Sequence, residues 1–202
     1  MRCSSTVDVR IGVLALQGNV SEHIGAFERA LSAMGHGSAS SVFPVRQPAD
    51  LDGCAALAIP GGESTTISRL IGKNRLFEPI RTFSGGIFAT CAGMVLVATR
   101  VEDSRVHPLG LVDITVDRNA FGRQKESFET DLIVKGVAGG PFHAVFIRAP
   151  VAHAAGPETA VLSRVPGGIV AVEQGRHMAL AFHPELGGDT RLHERFLRNL
   201  GL

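Results

Sequence analysis

The stretch GGIFATCAGMVLVATR, residues 85–100, decides how this chain is read. An apolar, β-prone run (GIFA) leads to Cys91, and a helix-like run (MVLVATR) follows it. Ala89, Thr90, Ala92 and Gly93 crowd the cysteine with small side chains. A residue on a tight strand-to-helix turn projects above the sheet edge, where bulky neighbours would clash. That is the logic of the nucleophile elbow, usually written G-x-S-x-G and carried here by cysteine. The following helix N-terminus favours a thiolate, and the N–H of Ala92 can meet a developing oxyanion. The competing reading is a small buried hydrophobe, the common fate of a free cysteine. Ala89 stands where the elbow has its first glycine, so that position must tolerate a Cβ.

The same strand–turn–helix grammar recurs upstream. VRIGVLALQG is a near-continuous apolar run, as in a strand buried on both faces. Val20, Ile24, Phe27, Leu31 and Met34 then fall at helical spacing until Gly35 stops them. CAALAIPGGESTTISRLIG reads as strand, glycine turn and helix, with Ser64 or Thr65 as the N-cap. Three such units predict an α/β domain: one three-layer domain over residues 1–202, a central, mostly parallel mixed sheet flanked by helices. The later segments LGLVDITVDRN, ESFETDLIVKG, HAVFIRAP, AVLSRV, GIVAVEQG and HMALAFHPE read as short strands added antiparallel. Leu192, Phe196, Leu197 and Leu200 predict a closing helix capped by Asp189 or Thr190.

A cysteine nucleophile needs a base. His183 ends the run MALAFHPE as Cys91 ends its own, so parallel neighbouring strands would bring both to one sheet edge. Glu185, two residues on, can orient the imidazole as the third member of a triad. Read blandly, the two are a strand-end histidine and an exposed acid. PGGESTT, residues 60–66, lets backbone approach a ligand closely and lacks the lysine of a phosphate loop.

Composition narrows the classes. With 20 basic and 19 acidic residues and neither Trp nor Tyr, the chain offers no basic stripe and few stacking platforms for nucleic acid. Cys3, Cys54 and Cys91 are too few and scattered for a disulfide framework, and none forms a C-x-x-C metal pair. Cys54 is expected in the core and Cys3 in a disordered tail over residues 1–8. The absence of a long apolar segment predicts no signal peptide and no membrane span. Together with the odd cysteine count, it predicts a cytoplasmic protein without a metal.

LALQGNVSEH, IPGGESTT, ATCAGM, RNAFGRQ, SFE, FIRAP and AFHPE, in that order, resemble the glutaminase subunits of pyridoxal 5′-phosphate synthase, a family of class I, triad-type glutamine amidotransferases. The resemblance runs from about residue 10 to the C-terminus. It implies Cys91 as nucleophile, His183 as general acid/base and Glu185 as its orienting partner. Gly61, Gly62, Glu63, Arg118, Ile147 and Arg148 would bind glutamine, and the N–H groups of Gly62 and Ala92 would form the oxyanion hole. Gln17 would lie at the site mouth and partner interface. The resemblance further implies no cofactor in this subunit and a synthase partner, on whose ring it docks as a satellite and receives its activity. The family commonly has glycine where this chain has Ala89. Rival readings are the glutaminase of another biosynthetic complex, an elbow-cysteine peptidase, chaperone or redox sensor, and a non-catalytic regulatory subunit.

Overall fold

The computed structural model describes residues 9–118 and 127–202; the expected N-terminal tail with Cys3, and Asn119–Gln124 of the RNAFGRQ motif, lie outside them. The chain opens with β1 (Val9–Leu14), α1 (Val20–Ala33), β2 (Ser40–Val45), β3 (Ala56–Ile59), α2 (Ser64–Lys73), α3 (Phe77–Arg81), β4 (Gly86–Thr90) and α4 (Ala92–Val97). It continues through β5 (Ala98–Val101), β6 (Val112–Asp117), β7 (Ser127–Leu132), β8 (Phe142–Ile147), β9 (Val151–Ala155), β10 (Ala160–Val165), β11 (Gly168–Gln174), β12 (His177–Leu180) and α5 (Arg191–Asn199).

Most strands join one mixed sheet in the order β2-β1-β3-β4-β12-β11-β9-β6-β5, with β10 on β11. The stretch from β2 to β12 is parallel throughout. Its inner strands β1, β3 and β4 are largely apolar on both faces, because helices cover both, whereas the edge strand β2 is only partly buried. The direction of winding reverses between β1 and β3: β1 leads through α1 to β2 on one side, and β3 leads through α2 to β4 on the other. Right-handed crossovers therefore put α1 and α2 on opposite faces. The crevice above the strand ends at this reversal is where open α/β sheets carry their sites.

Under α1 and α5, Phe27, Phe88 and Phe196 pack at ring-centroid distances of 5.2–6.2 Å, all fully buried. Phe27 comes from the predicted helical face, which also buries His23, Ala26, Ala30 and Leu31. Gly35 ends α1 at φ +85°, while the N–H groups of Gly35 and His36 bond to the carbonyls of Ser32 and Leu31. This is the paired closure that a left-handed glycine permits after a helix.

Several local expectations need correction. The run after Cys91 is helical only to Val97; Ala98–Val101 forms β5, which pairs with β6 in parallel. The apolar residues of VLVATR suit either period, and the sheet decides. The later strands are not simply antiparallel additions. β12 inserts parallel to β4, and β7 with β8 forms a separate two-stranded sheet. No pattern in the sequence marks strand β9 or the short α3. Ser64 and Thr65 are the first residues of α2; the cap is Glu63, whose carboxylate accepts from the N–H groups of Thr65 and Thr66. At α5 the boundary residue is Thr190, but Asp189 accepts the N–H of Arg191. Cys54 is buried, as expected, just before β3.

Candidate active site

Cys91 sits between β4 and α4 with φ 50° and ψ −110°, a conformation that costs a non-glycine residue about 1–3 kcal/mol. Packing on every side holds it there. Its N–H bonds to the Leu180 carbonyl of β12 at 2.8 Å. A Cβ on Gly93 would stand 2.1 Å from the Ile59 carbonyl, so only glycine lets α4 begin this close to β3. Ala89 is fully buried in β4, opposite Ile59 and Ala179, and the strand admits its Cβ. The left-handed backbone falls on the cysteine, not on position 89.

The register of β12 against β4 pairs Leu180 with Thr90, so the chain leaves both strands at one edge. Cys91 follows one strand and His183 the other. Phe182 packs against Phe142 and Phe146 of β8, and the His183 N–H bonds to the Val145 carbonyl at 2.9 Å. Three strands thus fix the nucleophile and the base. The side chains of His183 and Cys91 are neighbours, both pressed against Gly61. On the other ring edge, Nδ1 of His183 lies 2.6 Å from Oε1 of Glu185. Burial alone would lower the His183 pKa, but the neighbouring Cys91 and Glu185 outweigh it and push it up to about 10. Burial likewise opposes the charge on Glu185, yet the bond from His183 holds its pKa below the usual value. The arrangement favours an imidazolium beside the Glu185 carboxylate.

In front of the dyad lies a cleft of about 290 Å³ lined by Cys91, Ala92, His183, Gly61, Gly62, Glu63, Arg118, Ile147 and Arg148, among others. Every substrate-side residue expected from the sequence therefore borders one cavity. Gly61 is pressed against the dyad, since a Cβ there would meet His183 Cε1 at 2.5 Å and Cys91 Cβ at 3.0 Å. Gly62 takes φ +145°, beyond the reach of most side chains. The Cys91 thiol also faces the Ile147 carbonyl at 3.7 Å. Arg148, directly after β8, is exposed and left-handed at φ 43°.

Glu63 and Arg118 are linked. Arg118 donates to Glu63 Oε1 at 2.9 Å and to Asp103 Oδ2 at 2.7 Å. Burial works against the Glu63 charge, but the bonds from Thr65 and Thr66 bring its pKa down to about 2. Gln17, in the loop after β1, accepts the Glu63 N–H at 3.0 Å. That loop lies flush on the glycine turn, for a Cβ on Gly18 would stand 1.8 Å from the Gly61 carbonyl. Gln17 is exposed and is not among the residues lining the cleft, which include its neighbours Gly18 and Asn19.

Four contributors were not anticipated: Asn19, His23, Thr90 and Asp103. Asn19 Nδ2 lies 3.4 Å from Glu185 Oε1, and His23 Nε2 lies 3.0 Å from Thr90 Oγ1 and 3.5 Å from Glu185 Oε1. A signal for His23 was present: it follows Val20 by three residues and precedes Phe27 by four, on the apolar face of α1. Nothing in the loop sequence marked Asp103. Among the described residues, no group of three or more His, Cys, Asp or Glu side chains is placed to hold a metal ion.

Known proteins resemble this chain along nearly its whole length. The pyridoxal 5′-phosphate synthase subunit PdxT of Methanoregula boonei is 69% identical over 96% of this chain and 100% of the relative. The same-named subunit of Halalkalibacterium halodurans is 50% identical, with 94% of each chain covered. A solved structure described as a glutamine amidotransferase superposes with a TM-score of 0.82 at 43% identity, covering 95% of this chain and 99% of the other. A Thermotoga maritima glutamine amidotransferase shares the fold at 14% identity, with a TM-score of 0.60 over 96% of this chain and 84% of its own. The model of the SNO glutamine amidotransferase family matches residues 13–201, and the chain belongs to that family.

Proposed function

We propose that this chain is the glutaminase subunit of a pyridoxal 5′-phosphate synthase, hydrolysing glutamine to glutamate and passing the ammonia to a synthase subunit. The observation that carries this reading is Cys91 beside His183 on one cleft, with the His183 ring bonded on its other edge to the buried Glu185. Identity of 69% to a subunit bearing that name supports it.

The Cys91 thiolate attacks the side-chain amide carbon of glutamine, and the carbonyl oxygen takes up negative charge against the N–H groups of Gly62 and Ala92. The loss of one such donor commonly costs about 10²–10³ in rate. His183 gives its proton to the amide nitrogen, the C–N bond breaks, ammonia leaves and a γ-glutamyl thioester remains. His183 then takes a proton from water, which attacks the thioester; the C–S bond breaks, releasing glutamate and the thiolate. Glu185 keeps the imidazole in orientation and stabilises its cationic form. Arg118 and Arg148 suit the substrate's α-carboxylate, and Glu63 its α-ammonium. Gly61 and Ile147 shape the pocket wall, and Gln17 stands where the rim meets a partner.

The chain acts as one amidotransferase domain, docked as a satellite on the synthase ring in the cytoplasm. Among the described residues, no helix is long and apolar enough to cross a membrane. The subunit itself needs neither cofactor nor metal for these steps. Glutamate release from glutamine, measured for the chain alone and with a pyridoxal phosphate synthase subunit, tests the reading. Release should rise with the partner and vanish in Cys91→Ala; equal rates with and without the partner would sink the docking dependence.

A further inference from the structure

Behind the dyad, Glu185 is shut away from water, with its side chain fully buried. Its Oε2 has no hydrogen-bond partner among the described residues. Burial of this kind drives a carboxylate to take up a proton, and a neutral Glu185 would neither orient His183 nor balance its charge. Around Oε1 stand two hydrogen-bond donors, His183 at 2.6 Å and Asn19 at 3.4 Å, and the Nε2 edge of His23 at 3.5 Å, whose electrostatic influence favours the ionised form.

His23 is fully buried on α1, and its Nδ1 has no partner among the described residues. The tautomer follows from its surroundings. A proton on Nδ1 would leave a buried donor unpaired and turn the Nε2 lone pair toward a carboxylate. A proton on Nε2 finds Thr90 Oγ1 as acceptor at 3.0 Å and turns the ring's positive edge toward Glu185 Oε1 at 3.5 Å. Burial lowers the ring's pKa, so it holds this place as a neutral donor. The other titratable groups around it are His183 beside Glu185, Glu22 on its own helix and His193 on α5. Thr90 is the residue before Cys91. One ring therefore ties the strand that presents the nucleophile to the acid that orients the base.

Resting on the glutaminase reading above, we propose that His23 is a positioning residue of this reaction: its Nε2–H, held between Thr90 and Glu185, keeps Glu185 ionised and aimed at His183.

Three variants in complex with the synthase subunit test this. His23→Leu fills the volume without a donor, His23→Gln places an amide N–H near the former Nε2, and His23→Asn places one near Nδ1. Removing the donor makes Glu185 take its proton at higher pH. His23→Leu should lower kcat about 10- to 100-fold, leave the KM for glutamine within about twofold, and move the acidic limb of the kcat/KM profile up by about one pH unit. His23→Gln should recover most of the rate and the pH profile; His23→Asn should not. If His23→Leu does not fold, the contrast between Gln and Asn decides. Wild-type kcat and pH profile in the variants, with only the melting temperature lowered, would reduce His23 to a packing residue. So would equal losses in Gln and Asn. No glutamate from the wild type in the same assay would instead defeat the glutaminase reading.

Discussion

The parallel half of the sheet, β2 to β12, and the mixed remainder with the β7–β8 ladder meet at the cleft and contribute differently. In the proposed reaction the parallel half delivers the reacting groups: Cys91 after β4, His183 after β12, and the glycine turn after β3. Each follows a strand buried on both faces, whose register leaves little freedom. The other half would add recognition to that supplied by Glu63 of the glycine turn. Arg118 follows β6 and Ile147 with Arg148 closes β8, and these contacts are made by long or exposed side chains. The two halves are tied by arginines of α5. Arg191 donates to the carbonyls of Ala138, Gly140 and Pro141, and Arg195 to that of Gly136, in the loop before β8. Rigid strand ends hold the chemistry, and a strapped-on hairpin shapes what enters.

This division predicts opposite kinetic signatures. The largest effect is expected for Glu185→Gln, which keeps the shape but removes the charge. It should lower kcat by about 10²–10⁴-fold with KM nearly unchanged, by steady-state kinetics with the synthase subunit present. Arg118→Ala should do the reverse, raising the KM for glutamine about 10- to 100-fold with a smaller change in kcat. A pure kcat loss in Arg118→Ala would erase the distinction between the halves.

The smallest effect concerns stability. His193 on α5 is fully buried beside Phe27 and Phe88, with neither ring nitrogen partnered among the described residues. Burial lowers its pKa from 6.5 to about 3, and the neighbouring His23 adds to the shift. The folded chain keeps His193 neutral where the unfolded chain protonates it. Stability is therefore intact above pH 6.5 and declines as pH falls toward about 3. His193→Leu should flatten that decline in melting temperature against pH, without altering kcat at neutral pH. An unchanged slope would show that other groups dominate acid sensitivity.

The parallel half was also the more legible in sequence. An apolar run that ends in glycine or in small residues around a cysteine has few structural solutions, so β1, β3, β4 and the elbow could be anticipated together. Cys91 follows β4 directly, whereas β12 ends at Leu180, so the run MALAFHPE marks the sheet edge near His183 but overstates the strand. The mixed half was less readable because its strands are short and amphipathic. VAHAA, which forms β9, carries too little β-branched character to stand out. Ala98–Val101 continued an apolar run that fits a helix equally well. The supports behind the triad were hidden for another reason. His23 and Thr90 gain their meaning from a contact across 67 positions that no local pattern encodes. Glu63 shows a third case, since one side chain both caps α2 and meets Arg118, and sequence spacing marks only the turn.

The most direct test of the central claim is mass spectrometry of the chain quenched during turnover of glutamine with the synthase subunit present. A γ-glutamyl adduct confined to Cys91, absent in Cys91→Ala and longer-lived in Glu185→Gln, is the expected result. Turnover with no adduct at Cys91, or with the adduct on another residue, would contradict the account.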